Sequence, residues 1–111
     1  MKARCVKTTS DGVRHALTVG ALYEVVGIEA GDYRILDDAG EPCLFSPELF
    51  QVVDPRRPSD WIVTEESGPE YAYPPEFNKP GFWEDHHDRK PDAVRAFTRF
   101  LNERLRTPDV A

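Results

Sequence analysis

The chain has 111 residues, of which 40% are hydrophobic, 31% charged and 11% aromatic, a length that suits one ordinary domain and an aromatic load that excludes a disordered chain. Lys and Arg number 14 and Asp and Glu 20, so the net charge of -6 argues against a general binder of nucleic-acid phosphates. No apolar run approaches the roughly 20 residues that cross a bilayer, so no membrane segment is expected.

Residues 1 to 54 read as short strands separated by turns. Arg4 to Thr8 is the first, and Ser10-Asp11-Gly12 opens a polar loop that runs to about His15. Leu22 to Ile28 is the clearest strand, with Tyr23 and Val25 on one face and Leu22, Glu24 and Val26 on the other. Glu29-Ala30-Gly31-Asp32 turns the chain into a strand from Tyr33 to Leu36, and Asp37 to Glu41 turns it again. Cys43 to Phe45 and Phe50 to Val53 are the last two strands. Between them Ser46-Pro47-Glu48-Leu49 reads as one helical turn with Pro47 at its first position. Short strands at this spacing predict a small antiparallel barrel. Tyr23, Val25, Tyr33, Ile35 and Phe45 would fill it. Leu22, Val26, Leu36 and Leu44 would point outward and call for a cover, which the C-terminal half could supply.

Asp54 to Asp60 is a connector broken by Pro55 and Pro58. Trp61 to Thr64 is strand-like, Glu65 to Pro69 turns, and Glu70 to Tyr73 returns as a hairpin partner. Seven of the ten prolines lie between 55 and 91, and six aromatic residues lie between 61 and 83. That combination predicts an ordered loop pinned to a surface, not a flexible linker. A helix follows from Pro91, with Val94, Phe97, Leu101 and Leu105 on one stripe and Phe100 beside it. Thr107-Pro108 stops it.

The stretch from about Leu17 to Asp54 resembles an SH3-like barrel of the small bacterial and phage type. The resemblance rests on Leu17-Thr18-Val19-Gly20-Ala21-Leu22-Tyr23-Glu24-Val25-Val26-Gly27-Ile28, on Tyr33 to Glu41, and on Leu49-Phe50-Gln51-Val52-Val53. It implies binding through aromatic-lined loops, not catalysis. The acidic loop and paired tyrosines of proline-peptide binders are missing from their usual places. The C-terminal half resembles no family. The fold expected is therefore α+β: a five-stranded SH3-like antiparallel barrel over residues 1–54, then a hairpin, an aromatic loop and one C-terminal helix over 55–111, packed back on the barrel.

Cys5 and Cys43 form no CxxC pair and read as two small buried hydrophobes. Met1 to Cys5 is not followed by an apolar segment, so no export signal is expected and the cytoplasm is the expected compartment. Glu84-Asp85-His86-His87-Asp88 is the richest polar cluster. Adjacent histidines diverge in any regular structure, so it reads as a solvated loop with Asp88 capping the final helix, not as a metal site. Asp37, Asp38 and Glu41 read as turn formers. No nucleophile elbow, HExxH, phosphate-binding loop or GxGxxG occurs, so neither enzyme activity nor a cofactor is expected.

Two surfaces remain. Arg95, Arg99, Asn102 and Arg106, with Arg104 nearby, form a basic helical face that could meet nucleic acid. Residues 60 to 88 hold eight carboxylates against Lys79 alone, interleaved with aromatic residues. Carboxylates steer toward a basic partner and aromatic rings anchor it. The expected interface is Glu65, Glu66, Glu70, Tyr71, Tyr73, Glu84, Asp85 and Asp88. The expected function is a protein-binding accessory module that neutralises or regulates a basic protein, by analogy with small acidic immunity proteins.

Overall fold

Two-residue turns decide how the strands meet. Ala30 and Gly31 both take positive φ, 52° and 84°. That is the turn whose twist matches a tight hairpin, and it joins β4 (Leu22–Glu29) to β5 (Asp32–Leu36) with Glu29 opposite Asp32. Asp11 and Gly12 make the same turn between β2 (Thr9–Ser10) and β3 (Val13–Arg14), so the segment expected as a polar loop is a miniature hairpin. β1 (Lys2–Cys5) lies between β4 and β7 (Phe50–Asp54), antiparallel to both, and β6 (Pro42–Phe45) pairs with β5. The turn Pro47–Leu49 precedes β7 with proline in its first position and Leu49 fully buried.

A computed structural model describes residues 1–64 and 69–105, without the side chains of residues 104 and 105. It contains two compact units, Met1–Pro75 and Glu76–Ala111. The fold is α+β and mostly antiparallel. The strand order in the first unit is β6-β5-β4-β1-β7. Among the described residues no ladder joins β6 to β7, so the sheet is not closed. Side chains fill the seam instead. The Phe50 ring meets Phe45 at 6.2 Å, Tyr23 at 6.1 Å and Tyr33 at 6.3 Å. The core beneath them includes Ala3, Cys5, Leu17, Val25, Ile28, Ile35 and Leu49.

The hairpin of β8 (Ile62–Thr64) and β9 (Tyr71–Tyr73) belongs to this same unit, because Ala72 pairs with Ile28 of β4. The sequence reading groups residues 55–111 together, whereas the units divide at Pro75. Strict alternation also fails within β4. The β4–β5 register shifts between Val25 and Gly27, and Val25, Val26, Gly27 and Ile28 are all buried. Such a bulge places an extra residue on one strand and re-aims the side chains that follow. Val26, expected on the outward face that calls for a cover, is 1% exposed yet lies outside the core cluster of the sheet, whereas Leu22 and Leu44 face solvent.

The second unit contains α1 (Phe82–His87), α2 (Pro91–Phe100) and a π-helical turn, Leu101–Leu105. Its core is aromatic. Phe77 meets Phe82 at 4.8 Å and Phe100 at 4.7 Å, Phe97 meets Trp83 at 5.7 Å, and His86 meets Phe97 edge-on at 5.1 Å. The buried stripe of α2 is Ala93, Phe97 and Phe100, with Val94 half-buried. Asp88 does not cap α2. It closes α1, donating its N–H to the Glu84 carbonyl at 2.9 Å, and Lys90 is the residue preceding α2. The expected stop at Thr107-Pro108 and the basic residue Arg106 lie outside the described residues. No helix among those described is long and apolar enough to cross a membrane.

Candidate functional site

The β8–β9 hairpin is held by a buried polar network. The Arg34 side chain leaves β5 and is almost fully covered. Its Nε donates to the Tyr73 hydroxyl at 2.9 Å, Nη1 to the Pro42 carbonyl at 2.9 Å, and Nη2 to Glu29 Oε1 at 3.2 Å. The Tyr73 hydroxyl donates in turn to Glu29 Oε1 at 2.8 Å. A buried guanidinium is tolerable only when its donors are matched and a counter-charge is near. Pro42, Glu29 and Tyr73 supply those partners. Burial pushes the Tyr73 phenol far above its ordinary value; Arg34 opposes the shift and Glu29 adds to it. Tyr73 is therefore a neutral bridge between β9 and the β4–β5 pair.

Gly27 makes room for that bridge. A Cβ at position 27 would lie 2.1 Å from both Cδ1 and Cε1 of Tyr73. The ring lies flush on the backbone of β4, which no residue but glycine permits.

This corrects the expected interface. Tyr73 is 4% exposed and cannot serve as a surface anchor, whereas Tyr71 is 45% exposed. Strand alternation puts both on one face of β9, so what separates them is cover: Tyr73 lies against Gly27 and Arg34, and Tyr71 does not. Glu70 is paired: Arg57 forks onto it at 2.8 and 2.9 Å, holding its carboxyl below the usual range, while the same guanidinium lies 5.8 Å from the centre of the Trp61 ring. Glu65 and Glu66 lie outside the described residues. Glu84 and Asp88 are exposed on the second unit, and Asp85 faces Lys90 at 3.4 Å. The hairpin of the first unit thus exposes Ile62 and Tyr71 on one face and Val63 on the other, with Ile62 42% and Val63 49% exposed.

Two further features were not visible in the sequence. Tyr23, Thr18 and Asp38 form a clamp. The Thr18 N–H donates to the Tyr23 hydroxyl at 2.8 Å, that hydroxyl donates to Asp38 Oδ1 at 2.6 Å, and Thr18 Oγ1 donates to Oδ2 at 2.7 Å. These two donors lower the Asp38 carboxyl below its ordinary value; burial, with Asp38 beside it, raises Tyr23. Asp37 behaves as the turn former expected, its Oδ1 accepting from the N–H groups of Ala39 and Glu41. On the β2–β3 hairpin, Ser10 Oγ lies 2.7 Å from His15 Nε2, and the His15 ring sits edge-on to Phe45. Among the described residues no carboxylate hydrogen-bonds His15, so the pair braces the hairpin without the third group a triad needs.

The second unit has a cavity of about 480 Å³ at the start of α2, lined by Lys79, Asp85, Lys90, Asp92 and Arg95 among others. Its charges are mixed, with Lys90 on Asp85 and Arg95 on Asp92. Among the described residues no three His, Cys, Asp or Glu side chains converge as a metal set. Cys5 and Cys43 are free thiols, both raised above the ordinary value by burial. Compared with known protein families, curated proteins and solved structures, the chain has no match.

Proposed function

We propose that the chain is a non-catalytic protein-binding module that neutralises or regulates a basic protein, in the manner of a small acidic immunity protein. The observation that carries this reading is the β8–β9 hairpin. It exposes Ile62, Val63 and Tyr71 in a segment that has no Lys or Arg between Arg57 and Lys79. Exposed apolar and aromatic groups give contact area, and the acidic surroundings select a cationic partner. The scaffold is read as an SH3-like barrel. Support comes from the strand order β6-β5-β4-β1-β7, the single helical turn before β7 and the interior built on Tyr23, Ile35 and Phe45.

Capture from a lysate of the source cell in moderate salt, followed by mass spectrometry, tests the reading. The expected result is one stoichiometric basic protein whose affinity drops about tenfold, or 1.4 kcal/mol, on Tyr71→Ala. A partner indifferent to Tyr71→Ala and to charge reversal at Glu65 and Glu66 refutes it. The alternative is a nucleic-acid-associated regulator. It draws on Arg95 and Arg99, exposed on α2, and a nuclease-sensitive, salt-dependent eluate would favour it.

A further inference from the structure

β8 is the last strand on its side of the sheet. It pairs with β9 through Ile62–Tyr73, Val63–Ala72 and Thr64–Tyr71, and among the described residues no strand pairs with its other side. All three of its residues are exposed. Backbone N–H and C=O groups in an antiparallel strand alternate between its two sides, so a strand with one neighbour directs half of them at solvent. Edges of this kind are normally blunted by shortness, lysine, proline or a bulge. Ile62-Val63-Thr64 is short but carries no lysine, proline or bulge. It is wholly β-branched, the composition best suited to pairing. The edge is also rigidly presented, because the partner strand β9 is tied to Arg34 and Glu29 through Tyr73.

We propose that β8 receives an extended, basic segment of a partner protein as an added strand. The inference rests on the basic-partner reading above and specifies its mode. Charge selects the occupant. In the chain β8 runs directly into Glu65 and Glu66, and residues 58–78 contain no Lys or Arg; Glu70, paired with Arg57, adds little. A second copy of the chain laid along β8 would bring the same acidic segment against itself, whereas a Lys- or Arg-bearing strand meets opposite charge. Main-chain bonds would supply affinity. Ile62 and Val63, on opposite faces, would select β-branched residues at alternate positions of the incoming strand.

The test uses a short synthetic peptide alternating Lys with Val and Thr, and the same peptide N-methylated at alternate amides. Binding is followed by fluorescence anisotropy at low salt, with amide shifts recorded across the full chain. The unmodified peptide is expected to bind, to perturb the Ile62–Thr64 amides first, and to lose at least about tenfold in affinity on N-methylation, which removes main-chain donors alone. Successive N–H groups point to opposite sides, so one of Val63→Pro and Thr64→Pro removes an outward donor and leaves the β8–β9 pairing whole. The variant that keeps the parent unfolding midpoint is expected to bind about tenfold more weakly. Equal binding of both peptides overturns strand addition and leaves the basic-partner reading intact. Binding of neither overturns strand addition; if the lysate has also yielded no basic protein, the parent reading falls with it. A concentration-dependent dimer abolished by the same proline variant would assign the edge to a second copy and overturn the basic occupant.

Discussion

Gly27→Ala tests whether Tyr73 is locked as the structure has it. The new Cβ would lie 2.1 Å from two Tyr73 ring carbons and 3.1 Å from a third, far inside van der Waals contact. The ring cannot retreat freely, because its hydroxyl is held at 2.9 Å by Arg34 and at 2.8 Å by Glu29. Overpacking of this kind costs about 1–3 kcal/mol. Hydrogen bonds to charged partners contribute about 1.5–3 kcal/mol each, and a shifted ring weakens both. The expected cost of Gly27→Ala is therefore about 3–5 kcal/mol, most of the stability of a marginal domain. In a Tyr73→Ala background the obstruction is gone and the same substitution should cost about 1 kcal/mol, which leaves a coupling of about 2–4 kcal/mol. Urea unfolding followed by Trp61 fluorescence, with Trp83 replaced by Phe so that one unit reports, measures all four corners of the cycle. An additive cycle, within about 0.5 kcal/mol, would refute the argument that Gly27 exists to seat this ring.

Other outcomes follow from the same geometry. Tyr73→Phe keeps the ring and removes only the hydroxyl, so it should cost about 2–4 kcal/mol by urea unfolding, with Arg34 and Glu29 losing their shared partner. Folding lowers the carboxyl pKa of Asp38, Asp54 and Glu70 below the ordinary values of 3.8, 3.8 and 4.5. The stability they confer is whole above those values and is lost as pH falls through the folded ones. The urea midpoint should be flat from neutral pH to about 5 and decline below about 4. Asp38→Asn should flatten that decline, and an unchanged acid slope would count against the clamp. An aromatic disulfide reagent should modify the half-buried Cys43 before Cys5, which should react only on unfolding; the reverse order would contradict their burial. Phe97→Ala removes a ring that touches Phe77, Trp83, His86 and Phe100, and should cost about 3–5 kcal/mol, read through Trp83 fluorescence.

What could be read from the sequence was whatever depends on neighbours in the chain. The turn at Ala30-Gly31, the helical turn after Ser46 and the hairpin spanning 61 to 73 are local, and their residues announce them. The aromatic stripe of α2 was legible in part. Phe97 and Phe100 are buried as expected, but counting back four from Phe97 reaches Ala93, which is buried in preference to Val94. The features that escaped depend on pairing across distance. Val26 is covered at a bulge that only the pairing with β5 defines. Tyr73 is buried only because β4 offers a glycine where its ring must lie, 46 residues earlier in the chain. Glu70 is neutralised by Arg57 across 13 residues, so a count of carboxylates overstated the free negative charge of the hairpin. The Asp11-Gly12 turn was the one local signal left unused. It is the dipeptide of a tight hairpin, but the flanking strands are only two residues long and carry no alternation that would mark them.

The Tyr73 bridge also sets an order of events. Its bonds to Arg34 and Glu29 span 39 and 44 residues. Closing a loop of that length costs about 3 kcal/mol in chain entropy before either bond can form. β4 and β5, joined by a two-residue turn, face almost no such barrier. The nascent chain is therefore expected to assemble β4–β5 first and to dock the β8–β9 hairpin late, with the flank of β4 at Ile28 open in the interval. Substitutions at Tyr73 should then act on the rate of unfolding and leave the rate of folding nearly untouched, as stopped-flow kinetics would register. A bridge built from a single phenol thus docks the hairpin only after β4 and β5 have met.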